Sequence, residues 1–395
     1  MSEWKTIPAD VFCDSVRDGT HDTPKQVENG YKLVTAKHIN NGQIDLSDAY
    51  LISESDYLKI NERSKVEQWD VLMSMIGNGL GKSAVVKDNP QYAIKNLALF
   101  KLGNEIKAKW LHYYLSSQAG QGFIYNSLQG SGQPFISLSL LRKFPIPIPD
   151  DEKTMCDIVA ILSRYDTLIE NYQKQIKLLE EASQRLYKEW FVELRFPGHE
   201  NTKMVDGLPE GWERKAVSQL GEYLNGFAFK PSDWHELGRP IIKIKEMGNG
   251  VGNDTPRNNG ERVPAKYLVK AGDLLFSWSA TLMVIVWSGE EGWLNQHLFK
   301  VTPSEGIGRE FLLQSLSNAI EEFQNLTTGS TMKHIQRNKL DQVFVNVPND
   351  EMMELYNNVS EKVREEILHL SSQIRLLAEA RDRLLPRLMG GEMEV

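Results

Sequence analysis

Two cysteines in 395 residues, Cys13 and Cys156, stand far apart and outside any metal-ligating spacing. That excludes a disulfide framework and points to a reducing, cytoplasmic setting. No apolar run approaches the ~18 residues needed to cross a bilayer, so no membrane association is expected. The opening Met1-Ser-Glu-Trp-Lys5 lacks the apolar core of a secretory signal. The eight histidines form no cluster that would hold a metal. No Gly-x-Gly loop opens a helix, as a nucleotide cofactor would require. The Asn/Asp-Pro-Pro-aromatic tetrapeptide of amine-methylating enzymes is also missing. These absences together predict a chain without a catalytic site, a metal or a cofactor of its own.

An excess of positive charge is missing as well, since the net charge is −8. The deficit is unevenly placed. Residues 1–150 are neutral and 201–348 carry −1, whereas 151–200 carry −3 and 349–395 carry −4. The two near-neutral segments can therefore still present a basic face to a polyanion.

What is present begins with two long amphipathic stretches. Between Pro149 and Arg195, Ile158, Ile161, Tyr165, Leu168, Tyr172, Leu179, Ala182 and Leu186 recur at steps of three and four, with Gln175 filling one slot. Asp350 to Leu388 repeats the pattern through Val363, Ile367, Leu370, Ile374, Leu377, Leu384 and Leu388, with Arg381 in one slot. A period near 3.5 held this long predicts coiled coil. A whole domain separates the stretches, so the simplest pairing is antiparallel within one chain; two independent helices, each lying on its own domain, is the alternative. Asp150 and Asp151 are candidate N-caps after the Pro145-Ile-Pro-Ile-Pro149 stop.

The remainder is an internal repeat at an offset near 200. Asn96-Leu-Ala-Leu-Phe-Lys-Leu102 matches Asn295-Gln-His-Leu-Phe-Lys-Val301, and Trp69-Asp70-Val-Leu-Met-Ser74 matches Gly272-Asp273-Leu-Leu-Phe-Ser277. Val34-Thr-Ala-Lys37 matches Ile242-Lys-Ile-Lys245, Trp4 matches Trp212, and Pro149 matches Pro348. Frames match while loop lengths drift, the pattern expected of two domains that read different things. Strands are predicted at 71–76, 84–87 and 97–102, and again at 274–277, 282–287 and 298–302. Helices are expected at 108–117 and near 309–322.

Two motifs tempt a catalytic reading. Gly77-Asn-Gly79-Leu-Gly81-Lys82-Ser83 lacks the first glycine of a P-loop and leads into a strand, which leaves a hairpin turn able to touch a phosphate. Pro149-Asp-Asp151-Glu-Lys153 resembles the acidic end of a metal nuclease but sits at a helix start, where acids cap. What remains is polar loops whose side chains can hydrogen-bond base edges and phosphates. The candidates for DNA contact are Thr20, His21, Lys37, Lys82, Ser131 and Gln133 in the first copy. In the second they are Lys230, Lys243, Lys245, Ser330, Thr331, Lys333, His334 and Arg337.

Gly19-Thr-His-Asp-Thr-Pro24, Trp69-Asp-Val-Leu-Met-Ser74, Leu186-Tyr-Lys-Glu-Trp-Phe191 with Arg195-Phe-Pro-Gly-His-Glu200, Leu208-Pro-Glu-Gly-Trp212, Gly272-Asp-Leu-Leu-Phe-Ser-Trp278 and Leu384-Leu-Pro-Arg-Leu-Met-Gly390 follow one another in order. Taken together they resemble the specificity subunit of type I restriction-modification enzymes over nearly the whole chain. Gln68-Trp69 departs from the family's usual glycine before the aspartate. The resemblance implies an α+β fold: two mixed α/β target recognition domains in internal repeat, separated by two long helices forming an antiparallel coiled coil. The implied domains are 1–149 and 197–348, the latter including a linker, with helices at 150–196 and 349–395. It further implies a non-catalytic partner of double-stranded DNA, of two methyltransferase subunits and of restriction/translocase subunits. S-adenosylmethionine, ATP and Mg would belong to those partners. The alternatives are a fused methyltransferase or nuclease with unrecognised motifs, and a coiled-coil scaffold with no role on DNA.

Overall fold

The computed structural model describes residues 4–40, 42–130, 134–252, 254–326, 337–393 and 395. Two compact units emerge, one of residues 1–169 with 377–395 and the other of residues 170–376. The division cuts both long helices. The first helix, Glu152–Tyr187, contributes its beginning to unit 1 and its end to unit 2, and the second, Asp350–Met389, does the reverse. Start meets end in each unit, so the segments run antiparallel. In unit 1 the pairing is visible as an ion pair between Asp166 and Arg381, 2.7 Å apart.

Both helices start at capped ends. Asp151 accepts from the backbone N–H groups of Lys153 and Thr154, at 3.0 and 3.1 Å, and these bonds hold its carboxyl below the usual range. Asn349 accepts from Met352 N–H at 3.0 Å at the start of the second. Asp150, the other candidate cap, instead pairs with Lys5 at 3.0 Å. The first helix widens into a π-helical turn over Lys188–Val192, and Leu194 then takes a left-handed φ of 57°, ending the rod before Pro197.

The apolar stripe is broader than the single seam the spacing suggests. In the unit 1 part of the first helix, the buried positions are Met155, Ile158, Val159, Leu162 and Ile169, whereas Leu168 is 42% exposed. Within each unit a long-helix segment packs on the globular core as well as facing its partner helix. Two neighbouring partners require a wider apolar face than the two-in-seven of an isolated pair.

In unit 1 a four-stranded antiparallel sheet runs in the order Ser15–Asp18, Leu97–Lys101, Val71–Ser74, Ser83–Val85. A second sheet centres on Tyr31–Val34, which pairs antiparallel with Leu51–Ile52 and parallel with Tyr92–Ile94. Trp4–Pro8 and Pro145–Pro149 close the domain as a two-stranded ribbon, with Trp4 opposite Pro149. The expected proline stop is thus a strand. A ribbon of two strands demands donors on one side only, so proline at every second residue costs no ladder bond. Helix Glu105–Ser116 covers the main sheet with Ala108, Trp110, Leu111 and Leu115 fully buried.

Unit 2 repeats the main sheet strand for strand as Gly221–Asn225, Leu298–Pro303, Leu274–Ser277, Met283–Val286, whereas its second sheet gains a fourth strand, Leu268–Val269. Arg239–Ile242 pairs parallel with Gly292–Leu294, and Glu213–Ala216 with Phe344–Val347 closes the domain. Helix Arg309–Asn318 takes the place of Glu105–Ser116, with Phe311, Leu312 and Leu316 fully buried. Every strand and helix read from periodicity is present within a few residues.

One part of the sequence repeat shifts in space. Phe100 stands opposite both Val71 and Val16, and its counterpart opposite Leu274 and Tyr223 is Val301, not the Phe299 that the matching strings suggest. The strand is displaced by two residues, which keeps every side chain on its original face. Lys101 and Lys300 still reach the equivalent carboxylates, Asp70 at 2.6 Å and Asp273 at 3.3 Å. A long lysine stem absorbs the shift.

Candidate nucleic-acid interface

In each domain the two parallel strands stop side by side, which gathers their outgoing loops at one end. After Tyr31–Val34 comes Thr35–His38, and after Tyr92–Ile94 comes Lys95-Asn96; Lys95 N–H donates to Val34 O at 2.9 Å. The loop at Gly19-Thr20 joins them, with Thr20 N–H bonded to Ile94 O at 3.0 Å. Unit 2 uses the same connections: Asn295 N–H to Ile242 O at 3.1 Å and Phe227 N–H to Leu294 O at 2.8 Å. The backbones approach so closely that a Cβ at Gly19 or Gly226 would overlap the carbonyl of Ile94 or Asn295. Glycine at both points follows from that contact.

The first domain brings four of its candidates to this end. Thr20 Oγ1 accepts from Asp22 N–H at 3.1 Å and shapes the turn. His21, two-thirds exposed, lies between Asp18 (3.0 Å from Nε2) and Asn96 (2.9 Å from Nδ1). Lys37 pairs with Asp48 at 2.7 Å and lowers that exposed carboxyl. Its neighbour His38 is buried. Its Nδ1 accepts from Thr35 N–H at 2.8 Å, and Nε2 lies 3.2 Å from Asp48 outside hydrogen-bonding geometry. Desolvation lowers the His38 pKa against the opposing pull of Asp48. Lys82 sits on the turn between Val71–Ser74 and Ser83–Val85, 3.4 Å from Asn40 Oδ1. The glycine-rich stretch is a hairpin turn, as its sequence implies. Ser131 and Gln133 lie outside the described residues.

In the second domain Lys243 follows Arg239–Ile242, Lys230 lies on the loop after Gly221–Asn225, and Lys245 pairs with Asp254. Lys243 Nζ stands 4.8 Å above the ring of Trp234, a tryptophan 48% exposed. Asp233, beside it, accepts from Lys230 N–H at 2.7 Å, and Asn258 Nδ2 donates to Asp233 O at 2.6 Å, fixing the loop. Trp278 and His297 pack with tilted rings, 5.7 Å apart, on the adjacent turn. Ser330, Thr331, Lys333 and His334 lie outside the described residues, and so does the side chain of Arg337. Asn40, Lys95, Asn96, Trp234 and His297 also stand on these loops, outside the set expected from the sequence. Asn96 and His297 do fall inside the matching strings, but nothing in a string shows that its first residues face a loop cluster.

A loop end with lysines, amides, hydroxyls and exposed aromatics suits phosphates, sugars and base edges. Ser83 Oγ lies 2.9 Å from His112 Nδ1, yet Ser83 is buried and desolvation pushes the imidazole pKa down to about 4, a poor general base. Among the described residues no group of three or more His, Cys, Asp or Glu could hold a metal, and no helix is long and apolar enough to cross a membrane.

A duplicated α/β domain alternating with paired long helices and presenting variable polar loops at one end defines a class of two-part recognition proteins. The sequence matches the family described as the type I restriction modification DNA specificity domain over residues 1–181 and 209–355, and the chain belongs to that family. It is 24% identical over 312 residues to the type I restriction enzyme MjaIX specificity subunit of Methanocaldococcus jannaschii, covering 73% of this chain and 70% of that one. Over 470 aligned positions it is 24% identical to the HindI specificity subunit of Haemophilus influenzae, covering both chains in full. The fold is similar to the crystal structure of the type I restriction-modification S subunit from M. genitalium, with a TM-score of 0.51 at 14% identity, over 98% of this chain and 96% of the other.

Proposed function

We propose that this chain is the non-catalytic DNA-recognition subunit of a type I restriction-modification complex. Each globular domain reads one half of a bipartite target, and the long helices hold the gap and dock two methyltransferase subunits. S-adenosylmethionine, ATP and Mg belong to the methyltransferase and restriction/translocase partners. One observation carries the reading: the two domains share the main sheet and the parallel strand pair beside it, but different side chains occupy the same loop end. Thr20, His21 and Lys95 stand in one domain where Phe227, Ala228 and Asn295 stand in the other. Joining two weak readers raises affinity through effective concentration, and a fixed separation selects a fixed gap, one DNA turn being ~34 Å.

Methylome sequencing of cells carrying the complete system tests it. A bipartite methylated adenine motif should appear with the intact gene and vanish on its deletion. An unchanged methylome after deletion would refute the reading, and methyl transfer by the purified chain alone would favour an enzyme.

A further inference from the structure

Arg364 of the second long helix is 5% exposed and Glu310 of helix Arg309–Asn318 is 1% exposed, and the two form a forked pair. Nε lies 2.8 Å from Oε2 and Nη2 lies 3.1 Å from Oε1. Gln314, one turn on, donates to Glu310 Oε1 at 2.8 Å. Glu310 also sits in the first turn of its helix, where the dipole favours an acid. Just before it, Gly308 lies so near Asn357 of the long helix that a Cβ would overlap the amide. Farther along the same domain helix, Ser315 meets the Tyr187 hydroxyl of the first long helix at 3.0 Å, and Phe311 packs edge-on against Phe191 at 4.9 Å. One domain helix is thereby tied to both long helices.

Unit 1 has a counterpart built from other residues. Tyr113 of helix Glu105–Ser116 donates to Asp166 of the first long helix at 2.6 Å, and Arg381 of the second binds the same carboxylate at 2.7 Å. The domain helix and both long helices again meet at one polar node.

A buried ion pair adds little net stability, because desolvation offsets most of the attraction; apolar side chains of similar volume often do as well. Its distinct property is geometric. Apolar contacts tolerate a changed rotamer or a small slide, whereas a guanidinium fork on a carboxylate accepts one arrangement. We propose that Arg364 and Glu310 are positioning residues that fix how the second recognition domain stands on its helix segments, and thereby set how strictly the gap of the DNA target is read. This rests on the proposed function.

The test uses the full chain assembled with its methyltransferase subunits, on plasmids bearing the methylome-derived target with its native gap or with one base pair added or removed. Wild type should methylate the native gap and discriminate against both others. The double variant Glu310→Leu with Arg364→Met should melt near the wild-type temperature and read both half-sites, but its gap discrimination should fall by about tenfold or more. Arg364→Lys keeps the charge and loses the fork, and should show part of the same loss. Wild-type gap discrimination in both variants would overturn the proposal. If the double variant does not fold, Arg364→Lys decides alone. A wild-type complex indifferent to the gap would instead refute the proposed function on which this rests.

Discussion

Trp69 occupies a left-handed backbone position, φ 65°, where the second domain has Gly272 at φ 93°. The turn itself is the same in both: Trp69 N–H bonds Val86 O and Gly272 N–H bonds Trp287 O, each at 2.7 Å, and the next residue, an aspartate, caps the turn. A bulky residue there costs about 1–2 kcal/mol, set against the packing of the half-buried indole on the domain core. Trp69→Gly should therefore destabilise by only about 1 kcal/mol, well short of the ~3–5 kcal/mol of an ordinary core tryptophan truncation. Denaturant midpoints would check this, and a loss in the larger range would show that packing outweighs strain. His112 gives a pH signature. Burial pushes its pKa from the ordinary 6.5 to about 4, with Asp166 opposing and Arg381 and Lys87 adding to the fall. The unfolded chain then takes up this proton near pH 6.5 while the fold resists until about 4, so the stabilisation is complete above pH 6.5 and is lost as pH falls toward 4. His112→Gln should flatten the loss of denaturant stability between pH 7 and 5; His38, also lowered, leaves a slope of the same sign. An unchanged slope would assign the loss to other groups.

At the scale of the element, the long helices were legible because a 3.5-residue period survives over many turns. Their ends, Glu152 and Asp350, fall within two residues of the expected starts. Which positions are most deeply buried was not legible. Leu168 is half-exposed while Ser183 and Arg364 are buried, because the globular cores choose the second packing face. The antiparallel arrangement predicts that cysteines replacing Ile161 and Leu384, which both pack on the unit 1 core, cross-link within one chain. A non-reducing gel showing only inter-chain dimers would contradict it.

For the whole molecule, the shared frame of the domains predicts modular reading. Replacing residues 205–348 with the same segment of a relative should change one half of the methylated motif and leave the other half and the gap as they were. A change in both halves would mean that the domains are not independent readers. The duplication, the element types, the hairpin turn at Gly77–Gly81 and the helical pairing were determined by sequence alone, since periodicity, glycine placement and repeated strings are local properties. Long-range contacts set which loops share an end, that Lys300 stands two residues from its sequence match, and that Glu310 finds Arg364. Those outcomes depend on strand register and on contacts between residues far apart in the chain, and a lysine or a carboxylate has the same local pattern whether it meets solvent, DNA or a buried partner.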